Sequence, residues 1–208
     1  MEIIAISDTH NKHEQVILGS GDILIHAGDA TNLGTEKEVL KFLNWFREQD
    51  FRLKILVPGN HDFLYEKSPG FARILTEENE IVLLIDETIE IEGLVIHGSP
   101  QTPWFMDWAF NVERGPDIAK YWEKIPEKTD ILITHGPPHN ILDTINEEHA
   151  GCEELTMRVL QVKPKAHIFG HIHQSYGFTK FGDTGFYNVA QCNEASRIEN
   201  LPQKIEEF

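Results

Sequence analysis

Five segments of the sequence carry residues that can ligate a metal ion directly after a short apolar run. The ligand-bearing endings are Ser7-Asp8-Thr9-His10, Ala27-Gly28-Asp29, Pro58-Gly59-Asn60-His61-Asp62, Thr134-His135-Gly136 and Gly170-His171-Ile172-His173. Imidazole, carboxylate and amide oxygen together suit first-row divalent ions such as Mn, Fe, Zn, Co or Ni. No cysteine joins the set, which excludes a structural zinc site built on thiolates.

The number of candidate ligands favours two ions over one. Seven residues of ligand type are too many for one ion that must keep a coordination position open. Two ions roughly 3.5–4 Å apart can share a bridging carboxylate and clamp the attacking and leaving oxygens of an in-line displacement at phosphorus. We therefore predict a two-metal hydrolase of phosphate esters. The alternative, a mononuclear zinc hydrolase, would leave several of these histidines without a role.

The apolar runs before these endings predict buried strands at residues 3–6, 23–25, 53–57, 131–133 and 167–169, because they are β-branched and apolar on both faces. The carboxyl ends of such strands are where open α/β sheets place their sites. Residues 81–96, 176–181 and 186–190 alternate as antiparallel strands do.

Helical segments lie between some of the strands. Residues 35–50 open with Thr35 and Glu38 in capping-box spacing, residues 151–162 carry a second apolar face, and a short helix follows Gly115-Pro116. This strand–helix alternation predicts an α/β fold with a mixed sheet, or with two stacked sheets and helices outside.

Length and charge limit the other possibilities. At 208 residues the chain fits one domain, 1–208, and its 18 Lys and Arg against 34 Asp and Glu give a formal net charge of −16. We expect no duplex nucleic acid partner, because such binding rests on many phosphate contacts from Lys and Arg. With two cysteines, an acidic second residue and no run of about 18 apolar residues, we expect a cytoplasmic protein without a membrane span.

The five endings resemble the calcineurin-like metallophosphoesterase superfamily, whose pattern is D-x-H, G-D, G-N-H-[DE], a lone His and G-H-x-H. Residues 98–111, with His135-Gly136-Pro137-Pro138, resemble more narrowly its MPPED-type (metallophosphoesterase-domain-containing) branch. The resemblance implies a four-layer α/β/β/α sandwich with two stacked mixed β-sheets flanked by helices. It also implies two divalent metal ions, Mn first among them.

Carried over residue by residue, the resemblance assigns the ligands and the catalytic groups. One metal would be held by Asp8, His10, Asp29 and His173, and the other by Asp29, Asn60, His135 and His171. Asp29 would bridge the two ions, and His61 would face the leaving group.

One position departs from the family pattern. The superfamily often has G-D-x-x-D in its second block, whose last Asp orients the catalytic His, whereas this chain has Asn32 there. Asn32 cannot supply a charge to hold His61 protonated. Asp62 is adjacent to His61, but neighbouring side chains on an extended segment point apart, and what orients His61 stays open.

The aromatic-rich loop at residues 104–110 either lines the substrate site or packs against the core, since large aromatic side chains mostly serve packing. Trp104, Phe110 and Asn111, together with Arg114, are the candidate substrate-binding residues, because aromatic side chains can stack a nucleobase and Arg can meet a phosphate. The resemblance to the MPPED-type branch implies a small phosphodiester such as a cyclic nucleotide. The alternatives are a phosphomonoesterase for a small molecule or a protein and, from another class, a catalytically weak metal-binding scaffold.

Overall fold

Strands and helices follow one another much as the apolar runs predict. The computed structural model describes residues 1–206. The strands are β1 Ile3–Ile6, β2 Gly21–His26, β3 Phe51–Leu56, β4 Val82–Leu83, β5 Glu87–Ile91, β6 Leu94–Ser99, β7 Thr102–Pro103, β8 Asn111–Val112, β9 Ile131–Thr134, β10 Thr144–Ile145, β11 Glu148–His149, β12 Ala166–Phe169, β13 Gly177–Phe181, β14 Thr184–Asn188 and β15 Gln203–Ile205. The helices are α1 Glu36–Arg47, α2 Phe63–Lys67, α3 Pro69–Glu78, α4 Pro116–Trp122 and α5 Glu153–Val162.

Two larger sheets form the centre of the structure. The first has the order β15-β1-β2-β3-β4, in which β1 to β4 run parallel and β15 is antiparallel to β1. The second has the order β13-β14-β12-β9-β6-β5, in which the four inner strands are parallel and the two edge strands antiparallel. Both sheets are therefore mixed, and each brings the carboxyl ends of several parallel strands to one edge.

Three apolar clusters define the layers. Between the sheets, Ile23 and Ile25 of β2 share a cluster with Ile131 and Ile168 of the second sheet. Leu24, which points to the opposite face of β2, packs instead in a cluster with residues of α1. A third cluster joins the outer face of the second sheet to α4 and α5. Because successive side chains of a strand alternate between faces, both sheets are covered on both sides, and the predicted four-layer α/β/β/α sandwich is confirmed.

The helix signals in the sequence are confirmed locally. The Thr35 side chain accepts a hydrogen bond from the Glu38 N–H while the Glu38 side chain accepts from the Thr35 N–H, so the predicted capping box forms. Helix α1 ends at Arg47, three residues before the predicted end at residue 50. Helix α5 ends at Val162, where Lys163 adopts φ 52° and Pro164 prevents continuation.

One pairing differs from the prediction for residues 81–96. β5 and β6 are antiparallel, as expected. β4, however, pairs with β3 in parallel, with Val82 opposite Ile55, so the antiparallel prediction is wrong for this strand. The reason is that α2 and α3 carry the chain back along the sheet before β4 begins, which makes β3 to β4 a crossover connection. The antiparallel prediction for the last two long strands, β13 and β14, is confirmed.

Two strand histidines are part of the core. His167 on β12 is fully buried, with Nε2 2.9 Å from the Thr134 Oγ, and burial lowers the pKa of His167 to about 3. His26 on β2 is also fully buried, and burial lowers the pKa of His26 to about 3. Both imidazoles are therefore neutral at pH 7. Within residues 1–206, none of the helices has the length and apolar character that crossing a membrane requires.

Candidate metal centre

The candidate ligands converge at one edge, where parallel strands of both sheets end. Asp8 and His10 follow β1, Asp29 follows β2 and Asn60 follows β3, all in the first sheet. His135 follows β9 and the His171–His173 pair follows β12, in the second sheet. The site thus depends on the stacking of the two sheets, because neither sheet carries the whole ligand set.

Asp8, His10 and His173 form one group of side chains whose ligand atoms lie within 4.8 Å of one another. His173 Nε2 lies 3.2 Å from Asp8 Oδ1 and 3.4 Å from His10 Nε2. Burial opposes ionisation of Asp8, but the hydrogen bond and charge of His173 outweigh burial and lower the pKa of Asp8 below its ordinary value. Asp8 is therefore an anion at neutral pH, the form that ligates a cation.

Asp29, His135 and His171 form a second such group. His135 Nε2 lies 3.3 Å from Asp29 Oδ1 and 2.9 Å from Asn60 Oδ1. The other ring nitrogen of His135, Nδ1, donates to the Ala27 carbonyl at 2.9 Å. This hydrogen bond fixes the ring so that Nε2 faces the site, as is usual for a histidine that binds metal. Burial lowers the pKa of His171 to about 4, which keeps it in the neutral form that coordinates metals.

Asp29 lies between the two groups. Its Oδ2 is 3.8 Å from His10 Nε2, on the side of the first group, while its Oδ1 faces His135. Burial opposes ionisation, yet the charge and hydrogen bond of His135 hold the pKa of Asp29 well below its ordinary value. A carboxylate with one oxygen towards each group is the arrangement that a bridging ligand needs.

Backbone strain marks the same residues. Asp8, His10, Asp29 and His171 all have positive φ, at 52°, 41°, 56° and 67°. The left-handed region costs a non-glycine residue roughly 1–3 kcal/mol at such sites and persists only where the surroundings impose it. Positive φ also occurs elsewhere in the chain, for example at Glu80 and Lys163, so it accompanies the ligand geometry at this edge and does not by itself identify the site.

The donor set fits metal ions. Asp8 and Asp29 are both buried, and in the part of the chain that the structure describes their ion-pair partners are histidines. Two buried carboxylates without a Lys or Arg partner are costly unless cations offset them. Carboxylate and imidazole atoms within 4.8 Å of one another in each group, with the Asn60 amide oxygen 2.9 Å from His135 Nε2, form the set that first-row divalent ions prefer. When bound, such ions supply Lewis acidity and a water nucleophile at neutral pH.

His61 lies beside this ligand set and faces Asp29. Its Nε2 is 4.0 Å from Asp29 Oδ2, and together with His10 and Asp29 it makes a third group of possible ligands. Its Nδ1 lies 2.7 Å from the backbone carbonyl of Asn32 and donates to it. The main chain of Asn32 therefore holds Nδ1 of His61, at the position where the family pattern often has Asp. The Asp62 side chain points elsewhere.

Comparisons with known proteins agree with this geometry. A sequence model of the family described as calcineurin-like phosphoesterase matches residues 1–175. The chain belongs to this family. It is 35% identical to metallophosphoesterase domain-containing protein 1 of Homo sapiens over 227 aligned residues, which cover 98% of this chain and 70% of that protein. It is also 35% identical to UPF0046 protein K07C11.7 of Caenorhabditis elegans, with 97% of this chain and 73% of that protein covered.

A solved structure shares the fold. The phosphopantetheinyl hydrolase PptH from Mycobacterium tuberculosis has a TM-score of 0.66 to this chain at 16% identity, with 98% of this chain and 95% of that one covered. The family is dinuclear and metal-dependent, so this calcineurin-like phosphoesterase is a metal-dependent hydrolase of phosphate esters. The assignment of individual ligands and of the metal stays a prediction.

Asp62 has a structural role in the phosphoesterase that the sequence did not reveal. It is fully buried and accepts hydrogen bonds from the N–H groups of Gly59, Ala30 and Thr31 and from the Thr31 hydroxyl. Burial raises the pKa of Asp62 to about 6, with a further contribution from the Asp29 charge and against the effect of these donors. Asp62 joins the loop that carries Asp29 to the loop that carries Asn60 and His61. The G-N-H-D motif places the residue, but nothing in it indicates that the carboxylate faces backbone donors.

The predicted substrate-binding residues lie in different surroundings. Trp104 and Arg114 line a cavity of about 330 Å³ beside His171, together with Phe105 and Ile145. Phe110 is buried in the apolar cluster on the outer face of the first sheet, so its role is to pack the loop against the core. Asn111 braces its own loop, because its side chain accepts from the Phe105 N–H and donates to the Thr102 hydroxyl. The structure thus brings Trp104 and Arg114, but not Phe110, to a cavity beside the ligands.

Arg114 is engaged by the opposite wall of this cavity. One terminal nitrogen donates to the Gly151 carbonyl at 2.8 Å and also pairs with Glu153, and the other donates to the Ala150 carbonyl at 2.9 Å. These bonds use several of the five N–H donors of the guanidinium. In this arrangement Arg114 joins two segments of the cavity wall.

Proposed function

We propose that this protein is a dinuclear metal-dependent phosphodiesterase that acts on small phosphodiesters, including cyclic nucleotides. The observation that carries the proposal is the position of the cavity lined by Trp104 and Phe105 directly beside the metal-ligand candidate His171. A substrate whose phosphorus lies at the metal centre has its organic group within reach of this cavity. Its aromatic lining suits a planar group such as a nucleobase.

The charges of the site support a diester over a monoester. A diester carries one negative charge and a monoester up to two. Enzymes that hold a dianionic phosphate often use an arginine fork for it, whereas the Arg114 guanidinium is paired with Glu153 and two carbonyls. The formal net charge of −16 also repels polyanions such as duplex nucleic acid. A small, singly charged ester is the substrate class that these features favour.

The metal-ligand candidates and His61 have different roles in the proposed reaction. Asp8, Asp29 and Asn60, with His10, His135, His171 and His173, would hold the two ions, which supply Lewis acidity and a water nucleophile when bound. His61 keeps a proton on Nδ1 for the Asn32 carbonyl, so Nε2 is the atom that faces the substrate. From there His61 can hydrogen-bond a phosphoryl oxygen or pass a proton to the leaving oxygen, and proton transfer of this kind contributes roughly 10²–10⁴-fold.

A hydrolysis panel on the purified protein tests the proposal. The substrates are bis-p-nitrophenyl phosphate, p-nitrophenyl phosphate and 2′,3′- and 3′,5′-cyclic AMP, each with Mn²⁺, Ni²⁺, Zn²⁺ or a chelator. Wild type is compared with Asp29→Ala and His61→Ala. Asp183→Ala, an exposed aspartate in the β13–β14 turn, is the matched control.

We expect metal-dependent turnover of the diesters that is lost in Asp29→Ala, reduced in His61→Ala and unchanged in Asp183→Ala. Turnover of the monoester alone would contradict the proposal and show a phosphomonoesterase instead. Bound metal without turnover of any ester would also contradict the proposal and favour a catalytically weak metal-binding scaffold.

A further inference from the structure

The His61 imidazole has an aromatic neighbour on its ring face. The centroid of the Trp108 ring lies 4.1 Å from that of His61, with 33° between the ring planes. The separation is shorter than the lower end of the usual range for aromatic pairs, about 4.5–7 Å. Among the aromatic contacts of the described residues, this one joins a candidate catalytic side chain to a residue outside the ligand set.

Trp108 is anchored to the same piece of chain as His61. The N–H of Ala109, the next residue, donates to the Asn60 carbonyl at 3.1 Å. The N–H of Phe110 donates to the Glu66 carboxylate at 2.7 Å. Trp108 itself is half-buried and lies 5.8 Å from the Phe63 ring. The indole therefore follows any shift of the loop that carries Asn60 and His61.

The hydrogen bond to Asn32 does not hold the His61 ring by itself. A single bond at Nδ1 fixes one atom of the imidazole and leaves the ring free to tilt about that contact. The ring is partly exposed, and His10 meets it edge-on, with 4.8 Å between the ring centroids, without covering its face. A flat surface against one face removes the remaining tilt and keeps Nε2 directed at Asp29 Oδ2, 4.0 Å away.

We propose that Trp108 is a positioning residue for His61, and that the indole face together with the Asn32 carbonyl orients the imidazole in this chain. The proposal rests on the function proposed above, in which His61 acts on the phosphoryl or leaving oxygen. Trp108 contributes through the direction of Nε2, without touching the reacting atoms. A carboxylate at position 32 is then not needed for orientation.

A double-mutant cycle tests the proposal. The variants are Trp108→Leu, Trp108→Phe, His61→Ala and Trp108→Leu combined with His61→Ala, assayed on bis-p-nitrophenyl phosphate with Mn²⁺. Phe181→Leu, an exposed aromatic on β13, controls for loss of aromatic surface. Metal content and thermal unfolding of each variant show whether the centre and the fold are intact.

We expect Trp108→Leu to lower kcat about 10-fold with KM within about 2-fold and two metal ions still bound, a partial loss of the His61 contribution. Trp108→Phe keeps a ring face and should stay within about 3-fold of wild type. In the His61→Ala background, Trp108→Leu should cause no further loss. A further 10-fold loss in that background, or an unchanged kcat in Trp108→Leu alone, would overturn the proposal.

Nuclear magnetic resonance of the Zn²⁺-loaded protein gives a readout that does not depend on turnover. The ¹⁵N-labelled His61 ring should give sharp resonances of one Nδ1–H tautomer in wild type and Trp108→Phe, and resonances broadened by motion of the ring in Trp108→Leu. Equally sharp resonances in Trp108→Leu would overturn the positioning role even in an inactive protein. A wild type without activity that shows the expected resonances would instead overturn the proposed function and leave the positioning role in place.

Discussion

Gly59 lies where even one added methyl group should disturb the metal centre. A Cβ at this position would meet Asp29 Oδ1 at 2.3 Å, the Asp29 backbone nitrogen at 2.4 Å and His135 Cε1 at 2.7 Å. Ordinary van der Waals contact of such an atom begins near 3.4 Å. Gly59→Ala must therefore move Asp29 or His135 by about 1 Å, and the backbone nitrogen cannot rotate away as a side chain can.

The size of the effect follows from these contacts. Overpacking of this kind costs about 1–3 kcal/mol of unfolding free energy. For a chain of this length the cost corresponds to a melting temperature about 2–12 °C lower. Because the displaced groups are the bridging carboxylate and a ligand of the second group, we expect metal affinity to fall by about 10–100-fold. Hydrolysis should fall at least as far at limiting metal concentration, since a misplacement of about 1 Å alone can cost 10²-fold.

Calorimetric titration of metal-stripped protein with Mn²⁺, with thermal unfolding of the same samples, measures both effects. Gly70→Ala is the matched control, because a Cβ on Gly70 in α3 meets nothing within 4 Å. That change should leave metal binding intact and stabilise the protein by about 0.5–1 kcal/mol. Wild-type metal affinity in Gly59→Ala would refute the assignment of Asp29 and His135 as ligands.

Three further changes have defined outcomes. Asp29→Ala should reduce bound metal from two ions per chain to none, measured by mass spectrometry of the metals, because Asp29 is the ligand predicted to bridge both ions, with Oδ2 towards His10 and Oδ1 towards His135. The buried His167 should make the fold less stable in acid. Its imidazole takes up a proton near pH 6.5 in the unfolded chain, but only near a pKa of about 3 in the folded chain. The unfolding free energy therefore falls as the pH drops from 6.5 to 3, by on the order of 4 kcal/mol. Urea unfolding of wild type and His167→Leu from pH 7 to 4 measures this loss, which should be smaller in the variant. Arg114→Ala should raise KM for aryl diesters about 10-fold with kcat within about 3-fold, because it removes the hydrogen bonds that join two segments of the cavity wall. It should lower the free energy of unfolding by less than about 1 kcal/mol, because the side chain is partly exposed.

Each of these expectations can fail in a specific way. One ion retained by Asp29→Ala would show that the two groups do not share this carboxylate. An equal acid dependence of unfolding in wild type and His167→Leu would show that another group carries it. A lower kcat with unchanged KM in Arg114→Ala would place this arginine at the reacting phosphoryl group and not in the wall.

Much of the site could be predicted because the relevant signals are local. A buried parallel strand is recognisable in the sequence as an apolar run, and the residue that follows the run must lie at the sheet edge. Asp8, Asp29 and His135 were therefore predictable as neighbours although they are far apart in sequence. The capping box of α1 is local in the same way, because Thr35 and Glu38 satisfy each other within one turn.

The remaining features depend on tertiary contacts that residue types do not specify. The acceptor for His61 is the backbone carbonyl of Asn32, and every residue carries such a carbonyl, so the sequence could not single it out. Phe110 and Trp108 are two residues apart in one aromatic loop, yet Phe110 is buried and Trp108 covers His61. The pairing of β15 with β1, which fixes the C-terminal segment through Ile205 opposite Ile3, also has no local signal.

The central claim is that hydrolysis needs two metal ions held by ligand groups that share Asp29. A titration of metal-stripped wild type with Mn²⁺, which follows bound ions per chain and bis-p-nitrophenyl phosphate hydrolysis in the same samples, tests it most directly. We predict binding of two ions per chain and hydrolysis that appears as the second ion binds. Full hydrolysis with one ion per chain, or in the presence of chelator, would contradict the account.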